Sequence, residues 1–252
     1  WYEANRRDLP WRANRDSYRI WISEIMLQQT RVAAVIPYYE RFLTAFPTVE
    51  ALAKAPEEEV LRMWAGLGYY SRARNLQAAA QEIVKRGAFP QRYEELLTLK
   101  GIGTYTAAAI ASIAFGQAHA AIDGNVKRVT ARLIGMSEVD EGPAGKLLDR
   151  RDPGRWNQAM MELGALVCVP RTPLCAACPL NSLCVARQQG KQLEIPARKD
   201  RKPIRGLGDV YKRQALYSPQ RLLGTTGSRA SNPSPRKTGS VPPRYTRQSV
   251  PL

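Results

Sequence analysis

Several features are scarce or missing in this 252-residue sequence. It contains one histidine, His119, which excludes a metal site with two histidine ligands, such as one of two cysteines and two histidines. No apolar run reaches the roughly 20 residues of a membrane-spanning helix, and no signal-peptide pattern opens the chain. Before residue 206, no segment of strand length alternates apolar and polar side chains. These absences predict an all-α protein without a membrane partner.

Positive charge is plentiful but unevenly distributed. The formal net charge of +16 is typical of a nucleic-acid-binding protein. Residues 198–252 hold 13 of the 38 Lys and Arg but only 2 of the 22 Asp and Glu, so residues 1–197 carry only +5. The total charge therefore says little about what the folded region binds. The hydrophobic content of 44% is that of a globular protein with one or two domains.

The two ends of the sequence differ from its middle. The chain starts at Trp1 rather than Met, and we expect it to lack its original N-terminus. Residues 206–252 are rich in Ser, Pro and Arg and show no apolar periodicity. This composition predicts a disordered tail, and it has the character of non-native sequence.

All cysteines of the chain lie in one short stretch, with the pattern C-x6-C-x2-C-x5-C. They are Cys168, Cys175, Cys178 and Cys184. Four thiols so close together, without a secretory context, favour a metal centre over disulfides. Thiolate sites of this kind bind either zinc or an iron–sulfur cluster, and the spacing alone leaves both open.

A glycine turn precedes an alanine-rich segment within residues 99–110. Gly101 and Gly103 flank one apolar residue and Thr104 opens the next helix, so the pattern predicts helix, hairpin, helix. Glycine lets backbone N–H groups approach a phosphate closely, and the helix N-terminus adds the positive end of its dipole. Such a turn can clamp a nucleic-acid backbone without reading its sequence. An ordinary helix–helix connection has the same pattern.

Two carboxylates are candidates for chemistry. Glu24 has apolar neighbours on a predicted helix that Asp16 or Ser17 caps, and a buried carboxyl can stay protonated, as a general acid requires. The alternative is a glutamate on the polar face of an amphipathic helix. Asp123 directly precedes another predicted helix, where capping and the dipole favour the anion. The alternative there is a plain N-cap.

Two loops carry residues suited to contact bases. A predicted apolar helix is interrupted by Gln28, Gln29 and Thr30. Their amide and hydroxyl groups either contact the edge of a base or simply end the helix. In residues 66–72, Leu67 lies between two glycines ahead of Tyr69, as expected of a wedge that enters a base stack. A helix C-cap with buried tyrosines is the alternative.

Apolar periodicity and capping signals predict the remaining helices. They are expected at 31–46, from Pro56 onward, at 72–85 with Gly87 closing it, and at 93–97, 104–115, 124–134 and 155–167. All of them lie within the first 197 residues.

The motifs, taken in the order in which they occur along the chain, resemble those of the A/G-specific adenine DNA glycosylases of the MutY type. This family is part of the helix-hairpin-helix superfamily that includes endonuclease III. The resemblance covers residues 1 to about 200. The matching segments are residues 9–12, 23–30, 66–72, 101–106, 123–128 and 162–165, together with the four cysteines.

The resemblance implies a monofunctional glycosylase with Glu24, Asp123 and Tyr105 as catalytic residues. Glu24 is expected to protonate adenine at N7, and Asp123 to stabilise the oxocarbenium-like sugar. Relatives with lyase activity have a lysine at the position of Tyr105, and its amine forms a Schiff base. A phenol cannot do so, and Tyr105 is expected to position Glu24 or water, so that an abasic site remains.

The resemblance also implies a DNA partner and a cofactor. The partner is double-stranded DNA with adenine mispaired with 8-oxoguanine or guanine, and the adenine is flipped out of the duplex. Leu67 and Tyr69 are expected to wedge beside the opposite base, and Gln29 to contact it. The full set of expected DNA-binding residues is Arg12, Gln29, Leu67, Tyr69, Gly101, Gly103 and Asn125. One 4Fe-4S cluster is expected on Cys168, Cys175, Cys178 and Cys184.

The same resemblance predicts the domain organisation. Residues 1–197 are the catalytic region with the cluster loop at 168–184, residues 198–205 begin a linker, and a Nudix-like 8-oxoguanine recognition domain is missing. The chain is shorter than the family between Met136 and Arg155. We expect G:A and 8-oxoguanine:A mispairs to be processed comparably.

We expect a monomer in the bacterial cytoplasm, associated with the nucleoid. The alternatives are an endonuclease III-like glycosylase/lyase for oxidised pyrimidines and a non-catalytic, cluster-containing DNA-binding module.

Overall fold

Helices make up the regular secondary structure of residues 1–197, the part of the chain that the computed structural model describes. No β-strand occurs in this range, so the predicted all-α fold is confirmed. The predicted linker at 198–205 and the predicted disordered tail at 206–252 lie outside the described residues. Within residues 1–197, no helix combines the length and the apolar composition needed to cross a membrane.

Twelve α-helices follow one another in these described residues. They are α1 (Tyr2–Asn5), α2 (Ser17–Leu27), α3 (Val32–Ala45), α4 (Val49–Lys54), α5 (Glu57–Trp64), α6 (Ser71–Arg86), α7 (Tyr93–Leu97), α8 (Thr104–Phe115), α9 (Gly124–Ile134), α10 (Glu141–Lys146), α11 (Pro153–Leu166) and α12 (Val185–Gln188). Short 3-10 helices lie at Pro10–Arg12, Cys175–Ala177 and Asn181–Leu183.

The predicted helices are present, and their ends differ from the prediction by two residues at most. Asp16 caps α2, since its side chain accepts a hydrogen bond of 2.8 Å from the N–H of Arg19. Gly87 ends α6 in the left-handed conformation with a φ of 80°. The sequence does not predict α4, α10 or α12. They have only four to six residues, and α10 contains two glycines and a proline, which disfavour helices.

The larger hydrophobic core surrounds α2. Trp21, Ile22 and Met26 of α2 have no or almost no exposed surface, and the helix packs against α3, α6 and α8. Farther out, the rings of Phe42 and Trp64 meet edge to face with centroids 5.9 Å apart. Glu24 lies on the part of α2 that the other helices enclose, so its side chain is held inside the protein.

A smaller core joins α9 and α11 to the cysteine loop. Val126 and Leu163 are buried in it, and the side chain of Cys168 packs against it. The two helices come very close at Gly164, where a Cβ atom would lie 2.6 Å from the Cβ and 3.1 Å from the Cα of Asn125. Glycine at this position therefore allows α11 to lie directly against the first turn of α9.

The predicted hairpin joins α7 to α8. The N–H of Ile102 donates to the carbonyl of Leu99 at 3.2 Å, and Gly101 adopts a φ of 82°. Gly103 is the N-cap residue of α8. Buried alanines line the following helix, and their small side chains let α8 pack against both α2 and α11. As a result, α8 bridges the two cores.

Candidate active site

A cavity of about 580 Å³ is lined by residues of α2, α8, α9 and α11. This volume lies within the usual range for pockets that bind small molecules. Six residues expected from the sequence line it: Arg12, Glu24, Gln29, Tyr105, Asp123 and Asn125. The remaining predicted DNA-binding residues lie elsewhere: Leu67, Tyr69, Gly101 and Gly103.

Glu24 is a buried carboxyl that faces this cavity. Only 7% of its surface is exposed, and its Oε2 atom has no hydrogen-bond partner. Burial raises the pKa of Glu24 to about 7, against the opposing effect of the Tyr105 hydroxyl, and the nearby Asp123 carboxylate adds to the rise. Glu24 therefore does not lie on a solvent-facing helix surface, and near neutral pH a large fraction of it holds a proton.

Tyr105 lies on the first turn of α8, beside Glu24. Its hydroxyl is 3.5 Å from the Sδ atom of Met161. Burial raises the pKa of Tyr105 well above its ordinary value, and the charges of Glu24 and Asp123 raise it further. The phenol is thus neutral and can donate a proton in a hydrogen bond. Among the described residues that line the cavity, none is a lysine.

Asp123 is the N-cap of α9, and it also lines the cavity. Its Oδ1 atom accepts a hydrogen bond of 2.8 Å from the N–H of Val126. Its Oδ2 atom accepts a second one, also 2.8 Å, from Nδ2 of Asn125. The capping interpretation is therefore correct, and it is compatible with a role in the cavity, because both hydrogen bonds and the helix dipole favour a negative charge there.

Asn125 connects Asp123 to the cysteine loop. Its Oδ1 atom accepts a hydrogen bond of 2.8 Å from Nη2 of Arg128. Nε of Arg128 donates in turn to the carbonyl of Cys168 at 2.8 Å, and Nη2 donates to the carbonyl of Gly164 at the same distance. In the DNA-free structure, Asn125 thus holds Asp123, while its predicted contact with DNA stays a prediction.

Glu162, which lies in the segment 162–165 that carries the resemblance, forms an ion triad with Arg7 and Arg12 that the sequence does not predict. Its side chain is fully enclosed and accepts from Nε and Nη2 of Arg7 and from Nη2 of Arg12, all at 2.8 Å. Burial opposes ionisation, but the hydrogen bonds from Arg7 and Arg12 outweigh it and lower the pKa of Glu162 to about 2. All three residues line the cavity. The signal in the sequence is a glutamate among apolar residues at 162–165, the same signal that identifies Glu24.

The two predicted base-contacting loops differ in what they present to solvent. Tyr69 is 65% exposed, whereas Leu67 is only 8% exposed and belongs to the larger core. Gln29 is exposed at the edge of the cavity. In this structure, Tyr69 and Gln29 are therefore accessible, and the predicted wedge role of Leu67 stays a prediction.

The four cysteines line one small cavity together with Arg132. Nη1 of Arg132 lies 3.3 Å from Sγ of Cys168, and Sγ of Cys184 donates to the carbonyl of Arg132 at 3.3 Å. Burial raises the pKa of Cys178, and negative charge on the other three thiols raises it further. In residues 1–197, no three His, Cys, Asp or Glu side chains are grouped as a single metal ion requires.

Comparisons with known proteins identify the family and the fold. Residues 22–149 match the family described as HhH-GPD superfamily base excision DNA repair protein. The human adenine DNA glycosylase is 49% identical over 217 residues, which are 78% of this chain and 40% of the human protein. The chain spans about half the length of the adenine DNA glycosylases that it matches.

Two solved structures share the fold. A thermostable thymine-DNA glycosylase is 31% identical with a TM-score of 0.70, over 75% of this chain and 92% of that protein. Endonuclease III in a non-covalent complex with DNA has a TM-score of 0.65 at 24% identity, over 75% of this chain and 92% of that one. The latter likeness concerns the fold alone.

Proposed function

This chain belongs to the HhH-GPD superfamily of base excision DNA repair proteins, and from that premise we propose that it is a monofunctional adenine DNA glycosylase. Its substrate is adenine mispaired with 8-oxoguanine or guanine in double-stranded DNA, and its product is an abasic site. The observation that carries the proposal is a buried Glu24 with a pKa of about 7 that shares one cavity with Asp123. Two carboxyl groups in unlike surroundings are what cleavage of a glycosidic bond requires.

The reaction starts with a proton on Glu24. Transfer of this proton to N7 of adenine lets the base leave as a neutral molecule, since the electrons of the C1′–N9 bond go to N9 as the bond breaks. Positive charge then develops on the sugar, and the carboxylate of Asp123 stabilises it. A water molecule adds at C1′ and gives a proton to the Glu24 carboxylate, which restores the acid and leaves an abasic site.

Tyr105 separates this chemistry from that of a lyase. Formation of a Schiff base with the opened sugar requires an amine, and the described residues that line the cavity include no lysine. Tyr105 instead forms a hydrogen bond with Glu24 that opposes the rise of its pKa by burial. The endonuclease III-like lyase alternative is therefore disfavoured, in agreement with the identity to adenine DNA glycosylases.

The DNA contacts follow from the need to extrude the adenine. A base inside the duplex cannot reach Glu24, so it must flip into the cavity, and a mispair lowers the cost of this step. Tyr69 and Gln29 are the exposed groups that contact the base left behind, with Leu67 as a further wedge. The hairpin of Gly101 and Gly103 binds phosphate through backbone N–H groups.

All four thiols line one small cavity. Thiolates of this kind hold either zinc or an iron–sulfur cluster, and the resemblance to the MutY-type glycosylases favours the cluster. We therefore propose that Cys168, Cys175, Cys178 and Cys184 hold one 4Fe-4S cluster. When bound, the cluster would supply a charged anchor for the loop at 168–184 and no step of hydrolysis.

We propose that the chain acts as a monomer, because a single copy contains every group that the mechanism uses. Its proposed location is the bacterial cytoplasm, in association with the nucleoid.

The test is adenine release under single-turnover conditions from a duplex with adenine opposite 8-oxoguanine, with the iron content of the full chain determined in parallel. We expect strand breaks only after treatment with alkali. Glu24→Gln and Asp123→Asn should still bind the duplex but lose at least about 100-fold in rate. Glu40→Gln, exposed on α3, is the matched control and should keep the full rate.

Two results would contradict the proposal. Strand breaks without alkali at the rate of adenine release would identify a lyase. Duplex binding without adenine release, in a chain that contains about four irons, would identify a DNA-binding module without catalysis.

A further inference from the structure

Two loops that are distant in sequence each contain a residue in the left-handed backbone region. Gln29 has a φ of 57° and Tyr69 a φ of 47°, and neither is a glycine. This conformation is uncommon for residues with a side chain, and it persists where surrounding contacts impose it. Both residues immediately follow a segment whose backbone carbonyls are held by the same side chain, that of Arg72.

Arg72 holds the first loop through Nη1. This atom donates to the carbonyl oxygen of Gln28 at 2.6 Å, one residue before Gln29. It also donates to the carbonyl oxygens of Ile25 and Met26, at 2.8 and 3.1 Å. These belong to the last turn of α2, where a cation is favourable for the helix dipole. Arg72 therefore ties the loop of Gln29 to the end of α2.

The same guanidinium holds the second loop through Nη2. This atom donates to the carbonyl of Leu67 at 3.1 Å, with a longer contact of 3.5 Å to that of Gly68. The guanidinium carbon lies 5.7 Å from the ring centroid of Tyr69 and 5.3 Å from that of Trp64. Both rings are within the range of cation–π attraction. Arg72 thus constrains Tyr69 in two ways, through the carbonyls of the two residues that precede it and through its aromatic ring.

We propose that Arg72 is a positioning residue that makes the two loops one unit and fixes Gln29 relative to Tyr69. This inference rests on the proposed function, which places both residues on the base opposite the adenine. A planar guanidinium donates in two directions with fixed geometry, whereas a lysine ammonium is a point charge that cannot span both loops in this way. Arg72 does not line the catalytic cavity, so its effect on recognition is separable from the chemistry at Glu24.

The experiment compares the full chain with Arg72→Lys, which keeps the positive charge. The measured quantity is the Kd for two duplexes, one with a tetrahydrofuran abasic analogue opposite guanine and one undamaged. We expect Arg72→Lys to raise the Kd about tenfold for the first duplex, as loss of one or two hydrogen bonds predicts, and less than about twofold for the second. Arg74→Gln is the matched control, because Arg74 follows on the same helix but pairs with Glu57 at the surface.

A double-mutant cycle of Gln29→Ala and Tyr69→Ala measures the coupling itself, again through the Kd for the abasic analogue. With Arg72 present, we expect the combined effect to differ from the product of the single effects by at least about fivefold, and in the Arg72→Lys background by less than about twofold. Multiplicative effects with Arg72 present overturn the inference, and they do so even if circular dichroism shows that Arg72→Lys fails to fold. An unchanged Kd ratio in folded Arg72→Lys also overturns it.

Adenine release by the unmutated chain, measured alongside, separates this inference from the proposed function. Coupling without adenine release contradicts the glycosylase assignment and leaves the role of Arg72 intact. Adenine release without coupling contradicts the role of Arg72 alone.

Discussion

Asn125 donates a 2.8 Å hydrogen bond from its Nδ2 atom to Oδ2 of Asp123. The other carboxylate oxygen is already occupied by the N–H of Val126. Both oxygens of Asp123 therefore have fixed directions before any substrate enters the cavity. Preorganised charge of this kind stabilises a developing cation without the cost of reorienting dipoles during the reaction.

Replacement of Asn125 by alanine should slow adenine release by about 10- to 100-fold, because a hydrogen bond to a charged group contributes about 1.5–3 kcal/mol. The pH dependence of the rate should stay the same, since Glu24 is not touched. Single-turnover kinetics between pH 5 and pH 9 test both statements. Asn14→Ala, at an exposed site before α2, serves as the control. A rate within twofold of the unmutated chain would show that the Asp123 carboxylate is positioned by other contacts.

The raised pKa of Glu24 predicts that the rate of adenine release declines on the alkaline side of neutral pH. The general acid must hold its proton, so the rate of adenine release should fall as the pH rises through about 7, the pKa of Glu24. Tyr105→Phe removes the hydroxyl that lowers this pKa and should move the midpoint to higher pH. A rate that is constant from pH 5 to pH 9 in the unmutated chain would exclude Glu24 as the proton donor.

The same carboxyl should lower the stability of the fold at high pH. A folded-state pKa of about 7, above the ordinary 4.5, means that the folded state holds a proton that the unfolded state releases, so stability falls as the pH rises from about 4.5 to about 7. The full effect is about 3 kcal/mol. Urea unfolding should therefore find Glu24→Gln more stable than the unmutated chain at pH 8 and equal to it at pH 4. Equal stability at both values would contradict this.

The ion triad of Glu162 has the opposite pH dependence. Its pKa of about 2 lies below the ordinary value of 4.5, so its contribution is complete above about pH 4.5 and is lost as the pH falls towards 2. Glu162→Gln leaves Arg7 and Arg12 without their partner and should cost about 3 kcal/mol at pH 7. Glu82→Gln, which breaks a surface pair with Arg86, should cost less than about 1 kcal/mol. If Glu162→Gln and Glu82→Gln lose similar amounts of unfolding free energy, the buried triad stabilises the fold no more than a surface ion pair does.

Substitution of Tyr105 by lysine should convert the glycosylase partly into a lyase. The new amine replaces the phenol at the wall of the cavity, where it can attack C1′ of the sugar. Borohydride should then trap a covalent complex between the variant and the DNA, and none should form with the unmutated chain or with Tyr105→Phe. Efficient trapping of the unmutated chain would point to another amine that reaches the sugar, such as that of Lys127.

The sequence could predict the groups whose role follows from local pattern. Glu24 stands out because its sequence neighbours are apolar, and Asp123 because it directly precedes a helix. Neither signal depends on a residue that is distant in sequence, and the structure brings both side chains into one cavity. The hairpin at Gly101 follows from the turn that its two glycines form. The helix ends follow from capping residues such as Asp16 and Gly87, because capping is local in the chain.

The sequence could not predict contacts that only the fold creates. Glu162 lies 155 residues from Arg7, so nothing near it in sequence indicates that its charge is paired. Nothing in the sequence distinguishes Arg72 from the other basic residues. Its role becomes visible only in the fold, where it donates to the carbonyls of both Gln28 and Leu67. The left-handed backbone at Gln29 and Tyr69 has no signal either, since it is imposed by tertiary contacts.

The close approach of Gly164 to Asn125 fixes how near α11 and α9 lie to each other beside the catalytic cavity. A methyl group at position 164 would meet the Cα and carbonyl carbon of Asn125 at 3.1 and 3.3 Å, and backbone atoms cannot rotate away as a flexible side chain can. The added volume would force α9 and α11 apart at the turn that begins with Asp123. The placement of the stabilising anion therefore depends on a residue that has no side chain and takes no part in the chemistry.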